Sequence, residues 1–414
     1  MRLASEAAIG LMLSAALGCG GAGTTAAEPD GREPGAEVAC EGGDAASCLA
    51  AGRAYETGEG ATRDDARAIA LYERACEGGE PRGCTALGAR YYGGQGVARD
   101  DARARELFSR ACEGGEALGC FNIGVVHERG NGGAADPARA RELYARACDE
   151  ASAVGCNNLG LLLASGEGGE RDAVRAREIF TRGCEGADVR SCHNLGLALE
   201  RGAGGEADPA RAAELLSRAC EAGLGASCAR LGELYEEGRG VEQDLGRARA
   251  IYERSCEAGQ PAPCVNLGAL YASGRGVEAD LARAQELFAG VCTAEVVAGC
   301  RALGDLYEQG RGVERDYSRA HQLYEQACTA GEPGACASLG SLYSLARGVA
   351  RDHARAGALF EQSCRAGSGL GCFSLAASLA TGVGGARDRN RARALFEQAC
   401  GLGEPRACQV LRRP

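Results

Sequence analysis

Cysteine spacing constrains this chain more than any other feature. Cys40, Cys76, Cys112, Cys148, Cys184, Cys220, Cys256, Cys292, Cys328, Cys364 and Cys400 recur at a constant step of 36 residues. Each is followed eight residues later by a second cysteine: Cys48, Cys84, Cys120, Cys156, Cys192, Cys228, Cys264, Cys300, Cys336, Cys372 and Cys408. Eleven pairs in one register, with no insertion or deletion, are the mark of stacked repeats in which each layer contacts its neighbours. The 414 residues therefore form one quasi-linear array and not several globular domains.

Within a repeat, the second cysteine of a pair is position 0, so that repeat 1 opens at Cys48 and repeat 10 at Cys372. Positions 0, 3, 4 and 7 form one stripe of a helix, as in Cys84, Leu87, Gly88 and Tyr91. Gly or another small residue at position 10 suits a left-handed cap, and Gly at position 12 continues a short turn. Asp at position 16, from Asp64 to Asp388, precedes a second apolar stripe and predicts an N-cap. Arg at position 19, from Arg67 to Arg391, falls beside that Asp on the helix. Ala104, Leu107, Phe108, Ala111 and Cys112 then follow the i, i+3, i+4, i+7, i+8 pattern. The expected fold is an all-α solenoid of antiparallel helix pairs. Gly at position 4 in nine repeats faces an invariant Ala at position 20, which predicts a close helix crossing there.

Each Cys pair closes a loop between one helix pair and the next. A loop of about nine residues gives roughly 2.5 kcal/mol per bridge in the chain-entropy model. Such bridges offset the thin layers implied by 5% aromatics, no Trp and 65 Gly. Metal binding favours Cys-x-x-Cys knuckles or Cys/His mixtures. The seven-residue gaps and four His here point to disulfides, and so to an oxidising compartment.

The expected organisation is an export signal over 1–19, a flexible tether over 20–39, the repeat array over 40–408 and a tail over 409–414. Ala7–Leu17 has the length of a signal-peptide core and is too short to span a bilayer. Ala16-Leu17-Gly18-Cys19 resembles a bacterial lipoprotein box, in which Cys19 is lipidated, and Cys19 is the one cysteine outside the repeat register. With Gly20 and not Asp after it, the expected location is the outer membrane, facing the periplasm or the cell surface, with the lipid as sole membrane contact. The net charge of −11 argues against a nucleic-acid partner.

The motif Leu-Gly-x-x-Tyr, Gly-x-Gly-Val, Asp-x-x-x-Ala, Tyr-x-x-Ala-Cys resembles the Sel-one-like repeat, a relative of the tetratricopeptide repeat. Residues 228–264, CARLGELYEEGRGVEQDLGRARAIYERSCEAGQPAPC, are similar to its consensus. The added Cys-x7-Cys is similar to the cysteine-rich Hcp proteins. The resemblance covers 40–408 and implies right-handed superhelical stacking, binding of protein or extended peptide, and a β-lactamase-like or penicillin-binding activity as the alternative. Repeats 3, 4, 5 and 10 depart from it, with Gly-Gly (as in Gly132-Gly133) in place of Gly-Val.

Chemistry is hard to find. A serine β-lactamase needs Ser-x-x-Lys, and all 46 basic residues are Arg. His127 stands where six other repeats carry Tyr, and His193, His321 and His353 fall at unrelated positions, so neither a catalytic site, a metal nor a cofactor is expected. The expected binding face lies on the first helices, where Asn122, Asn158, Asn194 and Asn266 share position 2, with Val125, Leu161 and Leu197 one turn on. Both positions lie off the core stripe, so these side chains are expected to face a groove open to an extended peptide. A monomer is expected.

Overall fold

The computed structural model describes residues 34–293 and 296–412, all in helices and short turns. It divides into two compact blocks, one ending at Arg218 and the other beginning at Ala219, within the second helix of repeat 5. Each block is a solenoid of antiparallel helix pairs. Nearly every helix of the array has 13 residues, as in Ala153–Ser165 and Ala173–Glu185 of repeat 4.

The helix boundaries follow from the chemistry at their ends. The position-16 Asp is extended and accepts from the backbone N–H three residues on, as in Arg67 N to Asp64 Oδ1 at 3.0 Å and Arg247 N to Asp244 Oδ1 at 2.9 Å. At the other end, position 10 is left-handed, in Gly94 at φ +65° and even in Ala346 at φ +57°. The position-19 Arg side chain reaches its own cap in Arg67 to Asp64 (3.5 Å). Arg247 and Arg319 do the same with Asp244 (3.3 Å) and Asp316 (3.6 Å), while others turn to a Glu one turn on, as in Arg103 to Glu106 at 2.7 Å.

All eleven cysteine pairs are disulfides in the expected n to n+8 register, with Cα atoms between 4.4 Å (Cys112–Cys120) and 4.8 Å (Cys256–Cys264) apart. Each ties the end of a second helix to the start of the next first helix.

The expected close crossing at position 4 is present, with Ala68 O 3.3 Å from a Cβ on Gly52 and Ala356 O 3.2 Å from one on Gly340, but a second group lies nearer. What lies over the glycine is the ring at position 24: a Cβ on Gly88 would meet Phe108 at 2.7 Å, and one on Gly124 would meet Tyr144 at 2.7 Å. The ring and the glycine form the core of each layer. Where Leu216 replaces the ring in repeat 5, the gap relaxes to 3.0 Å from Gly196.

The first helix of the structure, Pro34–Glu41, begins inside the segment expected to be tether. It is the end of a second helix whose Glu37 accepts from Tyr55 Oη at 3.0 Å. The last, Pro405–Arg412, is the start of a first helix. Cys19 and the segment before residue 34 lie outside the described residues. Among the described residues, no helix is long and apolar enough to cross a membrane.

Candidate binding face

Within each block the first helices of most successive repeats touch one another, while the second helices stand further apart. The first helices therefore line the inner side of the curve, and their positions 2, 5 and 8 lie next to the neighbouring repeat.

That proximity decides the fate of the expected groove. Asn122 and Val125 are buried, at 5% and 4% exposure, and so do not face a groove as expected. Asn158, Asn194, Leu197 and Asn266 are half-buried, and Leu161 is 44% exposed. The asparagines are also joined to the protein. Asn194 Nδ2 donates to Asn157 Oδ1 at 2.8 Å, and Asn157 Nδ2 donates to Asn158 Oδ1 at 3.1 Å. Asn266 Nδ2 donates to Glu233 Oε1 at 3.3 Å. Asn158 and Asn266 further contact the hydroxyls of Tyr144 and Tyr252 in the preceding repeat. Repeats 4 and 5 thus keep an accessible strip, Asn158, Leu161, Asn194 and Leu197. Asn266 stands in the other block.

The structure reveals a second set of residues that the sequence reading passed over. The Tyr at position 24 donates to a Glu at position 8 of the same repeat: Tyr72 to Glu56, Tyr144 to Glu128 (2.5 Å), Tyr252 to Glu236 (2.8 Å) and Tyr324 to Glu308 (2.9 Å). Burial pushes these four hydroxyls up from the usual tyrosine range, so they remain donors. Where position 24 is Phe (Phe108, Phe180, Phe288, Phe360, Phe396), position 8 is Tyr92, Ala164, Ala272, Ser344 or Ala380 and never Glu. These Glu side chains are half-buried and the Tyr hydroxyl gives each a partner, although repeat 5 carries Glu200 at position 8 with Leu216 at position 24. This pairing is visible in the sequence once positions 8 and 24 are compared across repeats.

Arginines from the next repeat complete the contact. Arg90, itself buried, pairs with Glu56, while Arg275 reaches Glu236 and Arg347 reaches Glu308, both at 3.1 Å. Repeat 8 is denser still, because Asp305 also accepts from Tyr324 Oη at 2.6 Å. Burial raises the Asp305 carboxyl above its ordinary value, against the lowering effects of the Tyr324 hydrogen bond and of Arg301.

The histidines stand apart from one another. His127 contacts Arg105 Nη2 at 3.4 Å, and burial, reinforced by the Arg105 charge, lowers its pKa. His321 meets Tyr343 Oη at 3.0 Å. His193 is lowered by burial. Among the described residues, no three His, Cys, Asp or Glu side chains are arranged to hold a metal ion.

Comparison with known proteins agrees with this architecture. A family model described as Sel1 repeat matches residues 45–80, 81–116, 117–152, 153–188, 189–224, 225–260, 264–289, 297–332, 333–368 and 369–404. Among solved structures, a protective antigen of uropathogenic Escherichia coli with an SLR fold is 28% identical. It covers 90% of this chain and 80% of its own length, with a TM-score of 0.60. A Sel1 repeat protein from Oxalobacter formigenes is 24% identical over 80% of this chain and 99% of its own, with a TM-score of 0.57. Helicobacter pylori cysteine-rich protein B is 30% identical over 31% of this chain and 93% of its own, at a TM-score of 0.26. No curated protein matches the chain.

Proposed function

This chain belongs to the Sel1 repeat family, and from that premise we propose that it is an exported, lipid-anchored scaffold of the bacterial cell envelope that binds a protein or extended peptide. Sel1 repeat proteins generally bind proteins. The observation that carries the reading is Leu161, 44% exposed on the helix Ala153–Ser165, which bears no ionisable side chain. An exposed leucine between the amide groups of Asn158 and Asn194 offers both an apolar contact and backbone-type hydrogen bonds to an extended chain. The groove spans repeats 4 and 5.

Eleven disulfides support export, since bridges of this density persist in oxidising compartments. The unpaired Cys19 after Ala16-Leu17-Gly18 supports lipidation, with the outer membrane as its location.

Photo-crosslinking in isolated envelopes tests this. A crosslinking residue placed at Leu161 is expected to form adducts with an envelope protein. The same residue at Val174, 58% exposed on the second helix of repeat 4, is not. In the Cys19→Ser background the protein is expected to move from the detergent-extracted membrane to the soluble fraction. Equal adducts at both positions remove the groove, and unchanged fractionation removes the anchor.

A further inference from the structure

A second place departs from the repeat pattern, and its chemistry is different. At the junction of repeats 8 and 9 a cleft of ≈ 340 Å³ is lined by Glu308, Gln309, Arg315, Tyr317 and Arg347. Its walls come from the end of the first helix Val297–Gln309, the cap and first residue of the second helix Tyr317–Thr329, and the turn after the first helix Pro333–Leu345 of repeat 9. The volume is within the range of small-ligand sites.

The repeats themselves provide the control. In repeats 1 and 2 the arginine at position 15 is neutralised by an Asp at position 17: Arg63 with Asp65 at 3.3 Å, Arg99 with Asp101 at 2.8 Å. In repeats 4, 8, 9 and 10 position 15 is again arginine (Arg171, Arg315, Arg351, Arg387) but position 17 is not Asp, and in repeat 8 it is Tyr317. Arg315 makes no ion pair among the described residues; its Nη2 donates to the Gln309 carbonyl at 3.3 Å. The adjacent Asp316 is committed to its cap, accepting from Ser318 N at 2.9 Å and Arg319 N at 3.0 Å. Arg347 lies over the Tyr317 ring, 5.9 Å from its centroid, with its charge matched by Glu308 at 3.1 Å. No other repeat combines Arg at 15, an aromatic ring at 17 and Arg at 11 of its successor. Capping is met in the nine other repeats without this combination, so capping does not require it.

We propose that this cleft binds a carboxylate of an acidic segment on a protein partner, held by Arg315 and the outer edge of Arg347, with a flat or apolar neighbouring group resting on Tyr317. A guanidinium matches a carboxylate through paired N–H donors and also stacks on an aromatic face. Arg347 is already fixed by Glu308, so it is presented without further ordering. The site rests on the scaffold reading and adds a charged contact distinct from the uncharged strip of repeats 4 and 5.

Fluorescence anisotropy with the full oxidised chain tests it, using three labelled probes: an amidated peptide of alternating Glu and Phe, its Gln counterpart, and the Gln peptide with a free C-terminal carboxylate. The Glu peptide is expected to bind about tenfold tighter than the amidated Gln peptide, with affinity falling as salt is raised. Tight binding of the free-carboxylate peptide instead assigns the ligand as a chain terminus. Tyr317→Asp restores the ion pair of repeats 1 and 2, and Arg315→Gln removes an exposed charge. Each is expected to abolish the preference for the carboxylate, Arg315→Gln with the thermal midpoint unchanged. Equal binding of all three peptides, or a parent-like preference in both variants, overturns the proposal. If the Glu peptide fails while adducts at position 161 persist, the cleft is lost and the scaffold stands. Loss of those adducts with retained Glu-peptide binding has the opposite meaning.

Discussion

The two blocks differ in where arginines tie one repeat to the next. In the N-terminal block position 26 is Arg, and its guanidinium crosses to the carbonyl that ends the previous second helix. Arg74 reaches Cys40 O at 2.8 Å, Arg110 Cys76 O at 3.2 Å, Arg146 Cys112 O at 3.0 Å and Arg182 Cys148 O at 3.0 Å. A cation there satisfies a free carbonyl and matches the negative end of the helix. In the C-terminal block repeat 6 keeps Arg254, and in repeats 7 to 10 the same position is Gly290, Gln326, Gln362 or Gln398. Repeats 6 to 9 instead carry Arg at position 11, and three of these reach inward to position 8 of the preceding repeat. Arg275 meets Glu236, Arg347 meets Glu308, and Arg311, lacking a carboxylate there, donates to Ala272 O at 2.6 Å. Position 11 of the N-terminal block is Glu59, Gln95, Asn131, Glu167 or Ala203. The N-terminal block thus adds an outer ladder to its inner contacts, Arg90 with Glu56 and Asn131 with Tyr92, whereas the C-terminal block carries its arginine ladder on the inner side. The half with the outer ladder keeps its inner strip uncharged around Leu161, and the half with the inner ladder carries the arginine cleft.

The largest effect is expected where the two halves are alike. Gly124→Ala and Gly304→Ala each place a Cβ 2.7 Å from the Tyr144 or Tyr324 ring, and overpacking of this kind costs about 1–3 kcal/mol. Gly196→Ala meets the softer Leu216 at 3.0 Å, and the gain in helix propensity of about 1 kcal/mol offsets the strain. Denaturant midpoints should therefore fall for the first two variants and hold for the third. A fall as large for Gly196→Ala would mean that the ring is not the cause.

A smaller effect separates the halves. Arg146→Gln should destabilise by about 1 kcal/mol by removing an exposed, charge-assisted bond. Gln362→Arg should transplant the outer ladder toward the Cys328 carbonyl and stabilise the C-terminal block by a similar amount. Hydrogen exchange of the Cys112 and Cys328 regions measures both. If Gln362→Arg gives no added protection, the missing arginines do not explain the difference between halves.

The smallest effect is in pH and belongs to the C-terminal block alone. Tyr324 Oη has one proton and two carboxylate neighbours, Asp305 and Glu308, so a protonated Asp305 completes the arrangement. Because its folded pKa is raised, the folded state binds more protons between the unfolded and folded values. The stability this contributes is present at low pH and declines as pH rises through the folded value. Asp305→Asn should flatten that decline in thermal midpoints; an unchanged slope would move the effect to another group.

The repeat, its helix pairs, the Asp caps and the bridges were all legible in the sequence, because each depends on residues close along the chain and repeated ten times. The tyrosine–glutamate pairing was legible too, through its co-variation at positions 8 and 24, although a single repeat does not show it. The accessible face was not legible. A helical stripe separates core from non-core, but it does not distinguish water from the flank of the next repeat. Asn122 and Val125 occupy the same helical positions as Asn158 and Leu161, yet the first pair is buried and Leu161 is exposed. Likewise position 4 pointed to a close neighbour without saying that a ring would be the neighbour. The local pattern determined the layers, and only the stacking of one layer on another decided which side chains were left at the surface, because burial between repeats depends on partners 36 or more residues away.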